Sequence, residues 1–295
     1  MTIAACYVSS EGVVLGADST STWQQQGMPD HYFHHEQKVF EIGQGSTLGI
    51  TMWGVGGLGT TSYRKMIAEL SDSLGAKAAA SVKDVADRWC DAFWPAYTGL
   101  FAPAIARFRD LSRINPRSEA EERELVRLQQ VSGGFCIGGY VLSDRTPKAF
   151  EMIYGPHLDA IQMREISFGE YAFWGCPNSM QRLIFGIDGK LFQAIIDSKK
   201  WSGTPEELFA IVQPQMLGAP GALPLREAVD WVYSTIFVTI KAMKFSWLSQ
   251  VCGGPIEVAV VSADRNFRWV SHKGLDEAIS HRPYSQRPVA RRDSQ

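Results

Sequence analysis

The sequence predicts an α+β fold of four layers, αββα, in which two antiparallel sheets pack face to face and helices cover their outer faces. Two observations predict it. Hairpin patterns open and close the chain, and helical patterns gather into blocks instead of alternating singly with strands. With 45% hydrophobic and 20% charged residues among 295, the composition is that of a globular protein. The expectation is one domain over residues 2–280 with a helical insertion at about 101–131.

The elements follow in order. Residues 2–8, a turn at Ser9, Ser10, Glu11 and Gly12, and residues 13–17 read as a β-hairpin. A polar loop over 19–37, containing Gly27 and Pro29, leads to a second hairpin from residues 38–42 and 48–53. After the glycine-rich turn at Gly54, Gly56, Gly57 and Gly59, a helix is expected over about 60–74, with Tyr63, Met66, Ile67 and Leu70 on one face, and a second over about 82–97. Residues 101–130 carry mixed charges and break at Asn115 and Pro116. Ser118, with Glu121 three residues on, forms a capping-box pattern. Strands return at 134–142, 149–154 and 171–174, helices at about 178–185, 205–216 and 225–244, and strands 256–262 and 267–271 make the last hairpin. The tail, 281–295, is polar, Pro-containing and basic, and its composition predicts disorder.

Composition also excludes function classes. A net charge of -2 supplies no basic footprint for nucleic acid. No run of roughly 18 uncharged apolar residues exists and the start lacks the basic segment and long apolar run of a signal peptide, so the chain is expected to be cytoplasmic, with no membrane partner. Cys6, Cys90, Cys136, Cys176 and Cys252 are scattered, with no C-x-x-C pair, and are expected to be reduced thiols. His31, His34 and His35 read as part of a polar loop, because adjacent loop histidines seldom share one ion and no acid or thiol lies at ligand spacing. No cofactor is expected. Trp23, Trp53 and Trp174 read as core or interface residues.

The first hairpin sets up the chemistry. Pairing across a turn near Ser10 places Thr2 opposite Asp18 and Ser19. Once Met1 is removed, Thr2 carries a hydroxyl and a free α-amine together. Such an amine titrates near about 7.7–8.0, which makes it a usable general base on the nucleophile's own residue. A lysine ammonium nearby disfavours the protonated amine, and an aspartate beside the lysine holds it charged and oriented. Lys38, at the start of the next strand, is the candidate. Alone, Thr2 is an ordinary second residue, Lys38 an edge-strand lysine and Asp18 a turn residue. The constellation is what promotes them.

Thr2 with Gly12-Val13-Val14 and Asp18-Ser19, Lys38-Val39-Phe40-Glu41-Ile42, Thr51-Met52 with Gly54, and Cys252-Gly253-Gly254 together resemble the proteasome β-subunit family of N-terminal nucleophile hydrolases. The pattern is also similar to that of the smaller bacterial proteasome homologues. It covers roughly 2–74 and 134–270, with extra residues before Lys38, in 101–130 and around 187–221. The resemblance implies a threonine-type peptidase in which Thr2 attacks a peptide carbonyl, Asp18 and Lys38 tune its amine, and the Gly54 amide contributes to an oxyanion hole. The position of Gly54 between a strand and a helix suggests help from the helix dipole. It further implies that Ser21, Glu36 and Met52 line the pocket for the residue before the cut bond, that the Thr22 backbone pairs with substrate, and that Gly56 adjoins it. The implied partners are copies of the same chain in a ring or helical homo-oligomer, a peptide or unfolded-protein substrate, and an ATP-dependent unfoldase.

The chain departs from the family pattern at the supporting polar positions. Cys176, followed by Pro177, stands where the family has a serine, and Ser249 and Cys252 stand where it has an aspartate and a serine. The missing carboxylate at Ser249 motivates a second reading, a proteasome-like shell without activity. A third, from another class, is dinucleotide binding through Gly54-x-Gly56-x-x-Gly59 with Asp72 downstream. That reading requires a parallel βαβ unit, yet Asp72 falls inside a predicted helix and another helix follows.

Overall fold

Near-continuous apolar runs such as Ile3 to Val8 are what a strand buried on both faces requires, and the computed structural model shows why they occur here. It describes residues 2–23, 30–217, 221–247 and 250–273. Ser249 and the tail 281–295 lie outside the described residues.

In chain order, β1 (Ala4–Val8) and β2 (Gly12–Ala17) form the first hairpin, β3 (Ser21–Trp23) and β4 (His31–Phe33) a small second one, and β5 (Val39–Glu41) and β6 (Leu48–Trp53) a third. Helices α1 (Tyr63–Ala76), α2 (Val82–Arg113) and α3 (Glu119–Leu128) follow. Next come β7 (Gly133–Gly139), β8 (Lys148–Tyr154), β9 (Gln162–Ile166) and β10 (Tyr171–Trp174), then α4 (Asn178–Phe185), α5 (Gly189–Asp197), α6 (Pro205–Val212) and α7 (Leu225–Lys244). The hairpin of β11 (Glu257–Ser262) and β12 (Arg265–Ser271) closes the described chain.

The strands make two antiparallel five-stranded sheets, β10-β1-β2-β11-β12 and β5-β6-β7-β8-β9, and a two-stranded β3-β4 ribbon. Alternation along each strand sorts side chains between two environments. In β1, Ala4, Cys6 and Val8 face a core shared with Trp53 and Cys136 of the other sheet, while Ala5 and Tyr7, with Ile3 just before the strand, pack with Val232 and Ile236 of α7. In β6, Leu48, Ile50 and Met52 pack with α1 and α2 around Trp89, Phe93 and Tyr97. Between the sheets, Trp53 and Trp174 stack with ring centroids 4.4 Å apart and planes 1° from parallel. The fold is thus a mixed one of antiparallel sheets and helices. Among the described residues no helix is long and apolar enough to cross a membrane.

Several boundaries differ from expectation. The second helix does not stop at Tyr97: α2 runs through Pro95 and Pro103 to Arg113, because its buried face continues through Ile105, Phe108 and Leu111. Prolines that would break a solvated helix are held here by packing on the residues around them. After the break at Asn115 and Pro116, Ser118 and Glu121 cap α3 as their spacing predicts, and Arg107 ties it back to α2 through Glu124 at 2.7 Å. The loop over 19–37 contains the β3-β4 ribbon, and Trp23 on it is exposed and not in the core. β6 is antiparallel to both its neighbours, so the glycine-rich turn does not belong to a parallel βαβ unit.

Candidate active site

Strand ends from both sheets converge at one place. Ala4 pairs with Ala17 in the first hairpin, a register that brings Thr2 and Ile3 beside Asp18 and Ser19. Asp18 donates its N–H to the Ile3 carbonyl at 3.0 Å, and Asp18 Oδ1 accepts the Ile3 N–H at 3.2 Å. Lys38, just before β5, arrives from the facing sheet, and its Nζ lies 2.7 Å from Asp18 Oδ1. The ammonium also donates to the Thr20 carbonyl. Asp18 Oδ2 accepts from the Thr20 N–H at 3.2 Å and from the Gly253 N–H at 2.8 Å.

Thr2, Asp18 and Lys38 are all buried, with Asp18 at 0% exposure. A carboxylate and an ammonium removed from water each cost several kcal/mol unless they are paired and fully hydrogen-bonded. Asp18, with three backbone donors and one ammonium on its two oxygens, meets that condition. The arrangement therefore fixes the Lys38 side chain against Asp18, whose Oδ1 also binds the N–H of Ile3, the residue after Thr2.

Two glycines admit the neighbouring loops. Gly175, which follows β10, has φ +83°, and a Cβ there would lie 1.7 Å from the Thr2 carbonyl oxygen, so this loop can press against the first residues of the chain only as glycine. It carries Cys176 to Cys252, with which it shares a thiol–thiol hydrogen bond, both residues being buried. The bond from Cys252 holds the Cys176 thiol below its ordinary range, and the same bond, together with burial, pushes Cys252 well above it. Gly54, which follows β6, has φ +91°, and a Cβ there would sit 2.3 Å from the Ser132 carbonyl oxygen. Gly54 is not at a helix N-terminus, however. α1 begins at Tyr63 with Ser62 as its cap, so the expected helix-dipole contribution at Gly54 is absent.

Gly54 and Gly56, two glycines of one turn, make a paired prediction. Gly54→Ala should lower stability by about 3 kcal/mol or more, since both its dihedral and its backbone neighbours forbid a side chain. Gly56→Ala, where a Cβ meets nothing within 4 Å, should change it by less than about 0.5 kcal/mol. Denaturant midpoints of the two variants check this, and equal midpoints would contradict the geometry.

The other candidate residues are more dispersed. Ser21 and Thr22 lie on β3, half-buried, with Thr22 paired to Tyr32. Glu36 is half-buried, and its N–H donates to the Ser19 carbonyl at 3.0 Å. Met52 packs into the core beneath α1 and α2, and Gly56 is exposed. His31, His34 and His35 are exposed, and His34 Nδ1 lies 3.0 Å from Thr20 Oγ1. Among the described residues no group of three or more His, Cys, Asp or Glu could hold a metal ion.

Two residues the motif reading passed over stand behind the site. Glu257 is fully buried at the start of β11, its Oε2 accepting the Lys38 N–H at 3.3 Å, and Lys273 Nζ lies 3.5 Å from its Oε1. A lone acid in the otherwise apolar run Ile256 to Val261 was the signal that could have found Glu257.

No protein-family description matches the chain, and no curated protein matches it. Among solved structures it is similar to the Anbu (Gly-1) mutant from Hyphomicrobium sp. strain MC1. The two are 13% identical over 93% of this chain and 89% of that one, with a TM-score of 0.49.

Proposed function

We propose that the protein is a threonine-type peptidase whose nucleophile is Thr2 after removal of Met1. The observation that carries this reading is the buried Asp18–Lys38 pair, 2.7 Å long, hydrogen-bonded to the residue next to Thr2. In the proposed reaction the Thr2 hydroxyl attacks the peptide carbonyl carbon while its own α-amine takes the hydroxyl proton. Lys38 disfavours the protonated amine and keeps it available as a base. The Gly54 N–H stabilises the oxyanion. The amine then returns the proton to the leaving nitrogen, and water, deprotonated by the same amine, hydrolyses the acyl ester. Cys176 and Cys252 are the supporting polar residues of this mechanism.

Peptide substrates suit this site because β3 pairs only with β4 among the described residues, leaving its other edge for an extended chain to join beside Thr22. Ser21, Glu36, Met52 and Gly56 would adjoin the residue before the cut bond. The proposed architecture is the four-layer αββα domain over 2–280 with its helical insertion, assembled with copies of itself and fed by an ATP-dependent unfoldase in the cytoplasm. Self-association has support in the exposed aromatics of the α7 region: Tyr233 and Phe237 stack on its outer side, and Phe245 and Trp247 lie exposed beyond its end. The missing carboxylate at Ser249 favours an alternative, an inactive shell of the same fold.

Intact mass and N-terminal sequencing, combined with light scattering, test the reading. A chain beginning at Thr2 in a closed or stacked oligomer is expected. Retained Met1 would cap the proposed base and overturn the mechanism, and a monomer at working concentration would overturn the assembly.

A further inference from the structure

Glu257 is a carboxylate at 0% exposure in a strand whose next four residues are apolar, where a neutral side chain would avoid the cost of burying a charge. Its two oxygens divide their contacts. Oε2 accepts the Lys38 N–H at 3.3 Å, holding the backbone from which the Lys38 ammonium reaches Asp18. Oε1 faces His272 Nδ1 at 3.0 Å and, in an ion pair, Lys273 Nζ at 3.5 Å, neither contact being aligned as a hydrogen bond. Lys273 Nζ in turn donates to Ser19 Oγ at 2.8 Å and to the Glu36 carbonyl, while Ser19 Oγ donates to the Pro255 carbonyl at 2.7 Å. Lys273 therefore grips the residue after Asp18 and a residue two before Lys38. Burial holds Lys273 below its ordinary value, against the pull of Glu257.

We propose that Glu257 and Lys273 are positioning residues of the active site, a second acid–base pair with a buried acid and a half-buried lysine, which fixes the Asp18 and Lys38 segments against each other and balances the charge felt by the Thr2 amine. The inference rests on the peptidase reading above. Charges alternate from Asp18 through Lys38 and Glu257 to Lys273, so neither member of the outer pair can be neutralised without tilting the potential at Thr2. Among the described residues the groups facing Glu257 are Lys38, His272 and Lys273. Those facing Lys273 are Glu257, Glu36 and Lys38, and the site itself adds Asp18, Cys176 and Cys252.

The test is the acid limb of the pH profile of kcat/KM for a fluorogenic peptide, which reports protonation of the base. It is measured on the full chain with His272→Gln in every member, including the reference, so that the imidazole does not enter. Glu257→Gln keeps an acceptor for the Lys38 N–H but removes a negative charge, which disfavours the protonated amine, so the limb should move to lower pH by roughly half a unit. Lys273→Met removes a positive charge and should move it up by a similar amount, with a plateau rate about tenfold lower as Ser19 and Glu36 lose their anchor. Lys273→Arg should restore the reference limb, and the double variant Glu257→Gln/Lys273→Met should fall between the singles. A purely structural role would lower rates without opposite shifts, so unshifted limbs or shifts in the same direction overturn the proposal. If Glu257→Gln does not fold, the Lys273→Met and Lys273→Arg pair decides alone. An active reference with unshifted variants overturns only this inference, whereas a wild-type chain that begins at Thr2 and cleaves no peptide overturns the peptidase reading and this inference with it.

Discussion

Thr2→Ala should abolish peptide hydrolysis, with kcat/KM falling at least about 10³-fold, while the folded state loses no more than about 1 kcal/mol. The hydroxyl and the γ-methyl are removed, and the backbone contacts of the neighbouring Ile3 with Asp18 remain. Thr2→Ser, which keeps an oxygen nucleophile beside the amine, should retain measurable turnover. Both are assayed with N-terminal sequencing of the same preparation, so that a retained Met1 is not mistaken for loss of the nucleophile. Turnover of Thr2→Ala at the wild-type rate would end the threonine mechanism and favour the inactive shell or an unrelated site.

Lys38→Ala has a larger and double effect. Hydrolysis should be lost, since the nearest positive charge that disfavours the protonated amine is gone, and unfolding free energy should fall by about 3–5 kcal/mol because Asp18 is left as a buried charge without its partner. The two effects separate in a second variant. Lys38→Met combined with Asp18→Asn removes both charges and should recover most of the stability, by thermal or denaturant unfolding, without recovering turnover. An active Lys38→Ala with an unchanged pH profile would show that the ammonium does not tune Thr2.

How much of this was legible in sequence depends on how locally each feature is determined. The short turn of the first hairpin fixes the register of β1 on β2, so the meeting of Thr2 with Asp18 and Ser19 followed from counting residues. Likewise α4 and α7 coincide with their predicted spans, each having an apolar face and clear flanking breaks. β9 was missed because Gln162-Met163-Arg164-Glu165-Ile166 is a polar edge strand whose pairing with β8 is not written in its own pattern. α5 was missed because Asp188 followed by Gly189 reads as a turn, whereas Asp188 caps the helix by accepting from the Lys190 and Leu191 N–H groups. Lys273 lies 235 residues beyond Lys38, and only the closing of the last hairpin onto β2 brings the two together.

The site draws its two sides from different sheets, with Thr2 and Asp18 on the β1-β2 hairpin and Lys38 and Gly54 on the strands facing it, and no strand is shared between them. The Asp18–Lys38 contact therefore behaves like the gap of a caliper whose jaws are the two sheets. Sliding one jaw past the other by about 1 Å leaves every backbone ladder intact yet is enough to cost roughly 10²-fold in rate. In the proposed peptidase, pressure on either helical flank, from α2 on one side or α7 on the other, would arrive at Thr2 as rigid shear, so the proposed contacts between copies of the chain would set the rate without touching a residue of the site.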